Sequence, residues 1–198
     1  MFSFSKSTVF AVAAIGVLLA IGIDSGTEFV SLQLKKAVAR ADEAELLPSG
    51  ADDHSELRVA FNTAGVTDPD FSSIKDSKLS AKTPIVGIEV EGEAVAFPLA
   101  ELEEPHIVNA VIGNRALSVT FCTLVDCVRV LTDESEKPID LRLGGQDGNM
   151  QMVFMYDGAR YAQESRKIPL NDFPFKRCSL AEWKKLHPKT QVFIAPKT

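Results

Sequence analysis

Between residues 84 and 156 the chain carries seven short β-rich runs closed off by turn signals, and this spacing points to a sheet protein. The runs are 85–90, 93–97, 107–112, 115–121, 128–131, 139–143 and 150–156. Glu91-Gly92, Gly113-Asn114, residues 133–138 and the GGQDGN stretch at 144–149 supply the turns between them. Closely spaced strands joined by tight turns predict a mainly β fold, an antiparallel barrel or sandwich. One short C-terminal helix is also predicted. Ser179 and Glu182 have capping-box spacing, Pro188 stops the helix, and Leu180, Trp183 and Leu186 read as its core face. Residues 191–195 read as a closing strand.

The β-rich domain is expected over 84–198. Ahead of it, 47–83 is rich in Ser, Asp, Gly and Pro and reads as an irregular segment wrapping the domain, with 57–61 its one plausible short element. Residues 1–46 read as a membrane anchor followed by a stalk helix. No charge interrupts 7–23, which includes the run VFAVAAIGVLLAIGI, so a single N-terminal transmembrane helix is expected there. A cleaved signal peptide is the alternative. Asp24 directly after the run, and the distance to the Ala-x-Ala at Ala37 and Ala39, favour the anchor. Lys6 before the span and Asp24 and Glu28 after it place the C-terminal domain outside the cytoplasm, periplasmic or extracellular. Val30, Leu34, Ala37 and Ala41 recur at helical spacing in the stalk. The expected partner of 7–23 is the membrane, and no feature names a protein partner.

Composition narrows the function. Lysine plus arginine number 21 against 27 aspartate plus glutamate, a net charge of -6, so a nucleic-acid partner is not expected. Three cysteines are too few for a disulfide-built scaffold and leave one thiol unpaired within a monomer. Glu101, Glu103 and Glu104 crowd one short stretch, which is the usual look of a solvated face, and no pair of acids is spaced for hydrolysis.

Over about 84–193 several landmarks occur in a fixed order. EAVAFPLAELEEPHIVNAVIG carries Phe97, Pro98, Leu99, His106, Val108 and Asn109, and LSVTFCTLVDCVRV carries Cys122 and Cys127. Met155, Tyr156 and Asp157 follow, then Gln163, then Trp183, His187 and Pro188 in a W-x-x-x-H-P helix. The ordered set resembles the domain of unknown function 3179 family. That resemblance implies fold and location and supplies no activity. Its cysteine hairpin is similar to C-P-x-C-G, whereas here Thr123, Leu124, Val125 and Asp126 separate the two cysteines.

The candidate chemistry centres on that hairpin. With 123–126 as a four-residue loop, Cys122 and Cys127 face each other across the strand ends, about 4.5 to 5.5 Å apart at Cα, which a disulfide can span. The same two sulfurs are half of a tetrahedral metal site. His106, Met150 and Met152 are further donors, and such a set would suit Cu or Zn, with the methionines favouring Cu(I). Each also has a structural reading. Met150 and Met152 alternate with Phe154 as a core face does, and His106 precedes an apolar strand as a hydrogen-bonded structural histidine would. Tyr156, Asp157 and Gln163 are candidates for a polar pocket, although Asp157-Gly158 is also a turn signal. His54 and His187 read as surface residues. The sequence thus points to a binding or structural module rather than an enzyme, with a thiol-disulfide redox enzyme as the alternative.

Overall fold

The computed structural model describes residues 56–196. The expected anchor at 7–23, the stalk helix and His54 lie outside the described residues; among those described, no helix is long and apolar enough to cross a membrane. The elements in chain order are β1 (Leu57–Ala64), β2 (Val66–Thr67), β3 (Asp70–Ser73), β4 (Pro84–Val90), β5 (Glu93–Pro98), α1 (Leu99–Leu102), β6 (Ile107–Ile112), β7 (Arg115–Cys122) and β8 (Cys127–Thr132). They continue with β9 (Arg142–Asp147), β10 (Met152–Tyr156), β11 (Ala159–Ala162), β12 (Asn171–Asp172), β13 (Lys176–Ser179), α2 (Leu180–Leu186) and β14 (Gln191–Ile194).

The protein is mainly β, as expected, and its strands form three open sheets. The first runs β1-β9-β10-β11, the second β12-β8-β7-β6-β2 and the third β13-β4-β5-β14-β3. Pairing is antiparallel except at β2–β6 and β5–β14, so the second and third sheets are mixed. The second sheet is the middle layer. Val108, Ala110, Leu117, Val119 and Phe121 on one of its faces share a core with Val86, Ile88, Val95 and Phe97 of the third sheet. Ile107, Ala116, Cys122 and Leu131 on its other face pack against Met152 and Phe154 of the first sheet. Because both faces are covered, β6 and β7 are buried almost end to end. The far face of the third sheet, with Ile85, Ala96 and Val192, carries Leu180 and Trp183 of α2.

The middle layer also buries polar side chains, and they satisfy one another. Ser118 donates to Asn109 Oδ1 at 2.6 Å, and Asn109 Nδ2 donates to the Leu141 carbonyl at 2.9 Å. Asn109 is thereby a strut between the second sheet and the segment leading into β9.

Three expectations need correction. The stretch 47–83, read as an irregular linker, contains β1, β2 and β3, and each is the edge strand of a different sheet. Within it, residues 57–73 add one strand to each layer. The strand placed at 139–143 lies at Arg142–Asp147, so Gly144 and Gly145, read as turn residues, are inside a strand. A Cβ on Gly145 would sit 2.3 Å from the Val59 carbonyl oxygen, and only glycine allows β1 and β9 to meet there. Leu186, read as core, is 58% exposed. Six residues along a helix turn a side chain about 120° away from its starting face, so Leu186 cannot follow Leu180 and Trp183 into the core.

Candidate functional site at the cysteine hairpin

Strands β7 and β8 are joined by residues 123–126, and Cys122 and Cys127 are the last in-register pair before the loop. Paired residues in neighbouring strands present their side chains on the same face, here the one turned toward the first sheet. Cys122 is buried and Cys127 half-buried, and both sulfurs are thiols in this structure. Arg177 of β13 braces the loop. Its Nη1 donates to the Asp126 carbonyl at 3.1 Å, its Nη2 meets the Asp126 carboxylate, and its guanidinium lies 6.0 Å from the Phe121 ring centroid.

A second arginine fixes the other side of Cys127. Arg129 Nε pairs with Asp172 at 2.7 Å, and its Nη1 donates at 2.7 Å to the carbonyls of Gln163 and of Ser165. This tether holds buried Gln163 beneath the hairpin, where its Nε2 donates to the Cys127 carbonyl at 3.1 Å. Gln163 Oε1 is buried without a hydrogen-bond partner among the described residues. Burial pushes the Cys127 thiol above its ordinary value, with Glu164 and Cys122 adding to the rise and Arg129 and Arg177 opposing it. Cys178, on β13, is likewise raised by burial and packs with the α2 layer.

Beside Cys122 a cavity of about 320 Å³ opens between the first sheet and the end of the β6–β7 ladder. His106, Cys122, Met150 and Met152 all line it. They arrive from four places: the residue before β6, the last residue of β7, the turn before β10, and β10 itself. Phe61 of β1 and Leu143 of β9 supply apolar wall, and Leu124 of the hairpin loop stands at the mouth, 62% exposed. The cavity wall contains no Asp, Glu, Lys or Arg. Cys127 does not line it.

The backbone around this cavity is unusual. His106 has φ 57° and Met150 φ 62°, the left-handed region that side chains other than glycine rarely enter, at about 1–3 kcal/mol each. Both are held by hydrogen bonds: His106 N to the Leu102 carbonyl at 2.9 Å, and Met150 N to the Asp147 carbonyl at 3.0 Å. The His106 ring is anchored as well, with Nδ1 3.2 Å from the Phe121 carbonyl oxygen. A carbonyl only accepts, so Nδ1 is the donor of this bond, and in the neutral imidazole Nε2 is then the nitrogen with the lone pair. The Cys122 thiol points at the Met150 carbonyl, Sγ to O 4.0 Å.

The structure therefore joins His106, Cys122, Met150 and Met152, and places Cys127 next to Cys122 but outside the wall. The grouping of Tyr156, Asp157 and Gln163 as one polar pocket is not what the fold builds. Tyr156 and Asp157 sit at the turn of the β10–β11 hairpin, whereas Gln163 N bonds to the Met152 carbonyl at its open end, roughly 13 Å along the strands. Asp157 takes φ 50°, as its turn role requires. Tyr156 packs against the core between the first and second sheets, and burial raises its phenol. Among the described residues no three His, Cys, Asp or Glu side chains form a group able to hold a metal ion, so a metal here needs the methionines. A larger hollow of about 540 Å³ lies between 92–95 and 186–191, lined by His187, but it has no sulfur ligand and opens along exposed loop. Phe61, Leu143 and Gln146 were not foreseen in the site; the glycine pair in β9 was the one sequence signal that two backbones approach there.

Fold and site define a stacked-sheet β domain with a thiol and thioether cavity at a cysteine hairpin. The chain belongs to the family described as protein of unknown function (DUF3179), whose model matches residues 65–198. That span begins at the β1–β2 junction and takes in every later element. No curated protein and no solved structure matches the chain.

Proposed function

We propose that this protein is a binding module and not an enzyme, carried outside the cytoplasm on the apolar segment 7–23, with its ligand seat in the cavity under the Cys122–Cys127 hairpin. The observation that carries this reading is the convergence of His106, Cys122, Met150 and Met152 on one cavity from four separate places in the chain. Left-handed backbone at two of them supports it, since strain of that kind collects at functional sites. Membrane attachment rests on the uncharged span and the charge bias around it.

The competing class is a thiol-disulfide redox enzyme working through Cys122 and Cys127. A catalyst of that kind needs a thiol made acidic by a helix N-terminus or by dominant positive charge. Here the hairpin loop joins two strands, and burial moves the Cys127 thiol the other way. The full chain in detergent, with thiolate absorbance followed across pH and insulin reduction assayed in parallel, separates the two readings. A binding module gives a Cys127 thiol that titrates above its ordinary value, and no insulin turnover. Thiolate formation below neutral pH together with insulin turnover would overturn the proposal in favour of the redox enzyme.

A further inference from the structure

The geometry points to a soft monovalent cation, Cu(I), as the ligand of this cavity, bound by Cys122 Sγ, the thioethers of Met150 and Met152, and His106 Nε2. The inference rests on the proposal that the cavity is the ligand seat and adds the chemical class of what sits there.

Donor type selects the ion. Thiolate and thioether sulfurs favour Cu(I), imidazole is compatible with it, and hard dications want the carboxylate oxygens that this wall lacks. Zinc would ordinarily take four ligands from Cys, His, Asp and Glu, and no group of even three exists among the described residues. Methionine is what turns an incomplete zinc site into a copper site.

Ligand orientation is the second argument. Metal-binding histidines commonly donate their distal ring N–H to a backbone carbonyl, which fixes the tautomer and leaves the other nitrogen free to coordinate. His106 has that arrangement, with Nδ1 on the Phe121 carbonyl and Nε2 unpartnered among the described residues. Phe121 is also the residue before Cys122, and its amide returns a hydrogen bond to the His106 carbonyl at 2.9 Å. Histidine and thiol are thus locked to the same two-strand ladder. Met152 is buried on the opposing sheet, while Met150, 45% exposed, reaches the mouth next to Leu124. The pattern is a buried thiol, a buried thioether and an anchored imidazole, with a second thioether at the entrance.

Binding exchanges one proton for one cation: the Cys122 S–H bond breaks, a sulfur-copper bond forms, the proton leaves to solvent, and copper remains Cu(I). The resulting thiolate-cation pair is neutral, which suits a wall without charged side chains. Disulfide formation with Cys127 would consume the same sulfur, so the bridged protein cannot use it as a ligand.

The test is anaerobic titration of the reduced full chain in detergent with Cu(I) against a colorimetric Cu(I) chelator. Wild type should take up one equivalent. Cys122→Ser and Met152→Leu should each weaken uptake about 10- to 100-fold, with His106→Ala in the same range, while Cys127→Ser should stay within about threefold of wild type. Met150→Leu, at an exposed position that leaves the core untouched, should weaken uptake without altering thermal unfolding, so the site can be read even if Cys122→Ser fails to fold. X-ray absorption should then give mixed sulfur and nitrogen ligation. No uptake by reduced wild type would overturn the inference, as would equal loss in Cys127→Ser and Cys122→Ser, which would mean a two-thiolate site at the hairpin instead. These outcomes are separable from failure of the proposed function, which turns on acidic thiols and insulin turnover.

Discussion

Asn109 carries the most consequence of any buried polar residue in the middle sheet. It is 1% exposed, accepts from Ser118 and donates to the Leu141 carbonyl, so both ends of its amide are used. In Asn109→Ala the Leu141 carbonyl would lose its donor and the Ser118 hydroxyl its acceptor, each inside a layer that water does not reach. An unsatisfied buried group costs about 1–3 kcal/mol, so the expected loss lies at or above the middle of that range, read as a lowered urea midpoint with unchanged slope. An unchanged midpoint would mean that the layer admits water. The same residue illustrates what sequence could and could not reveal. Its place in a strand was legible from the apolar residues around it, but its partner Leu141 lies on a segment whose position no local pattern fixes.

At the scale of elements, legibility followed how locally each element is determined. The β6–β7 and β7–β8 hairpins were read within a residue or so because two-residue and four-residue loops dictate their own register, and the Cys122–Cys127 pairing came with it. The α2 cap is equally local: Ser179 Oγ accepts from Glu182 N at 3.3 Å while Glu182 Oε2 accepts from Ser179 N at 2.9 Å. By contrast β9 was displaced because Gly144-Gly145 resembles a turn until β1 and β10 are laid against it. The cavity was legible only as a set of donors, since nothing local says that the turn before β10 meets the end of β7. The cap yields a test at its own scale. Ser179→Ala should lower stability by about 1 kcal/mol at neutral pH. The Glu182 carboxyl is held below its ordinary value of 4.5 by its bonds to Ser179, so its contribution is present above that value and is lost as the pH falls through the lower, folded one. The difference between wild type and Ser179→Ala in thermal midpoint should therefore shrink on acidification below pH 4.5. A gap that stays constant or widens there would sink this account of the cap.

At the scale of the whole molecule, the least legible part is the strap of residues 57–73. Its strands are edge strands in which half the side chains of β1 and β3 are exposed and none is fully buried, so the sequence looks like a polar linker. Their stability comes from pairing: β1 along β9, β2 along β6 and β3 along β14. Arg142 adds a clamp between the strap and β9, its Nε bonded to Asn62 Oδ1 at 2.6 Å and its Nη2 to the Asn62 carbonyl at 3.2 Å. Two truncations then have opposite expectations. Removing 1–46 leaves every described strand in place, and the remaining chain should unfold in one cooperative thermal transition. Removing 1–73 strips one edge from all three sheets at once and exposes the backbone donors and acceptors of β9, β6 and β14 to solvent and to other chains. It also takes Phe61 from the cavity wall. The shorter product should lose cooperative unfolding by circular dichroism and elute as soluble aggregate. A 74–198 fragment that stays monomeric with an undiminished transition would show that the three sheets hold together without their shared strap, and that the edge pairings contribute little to the fold.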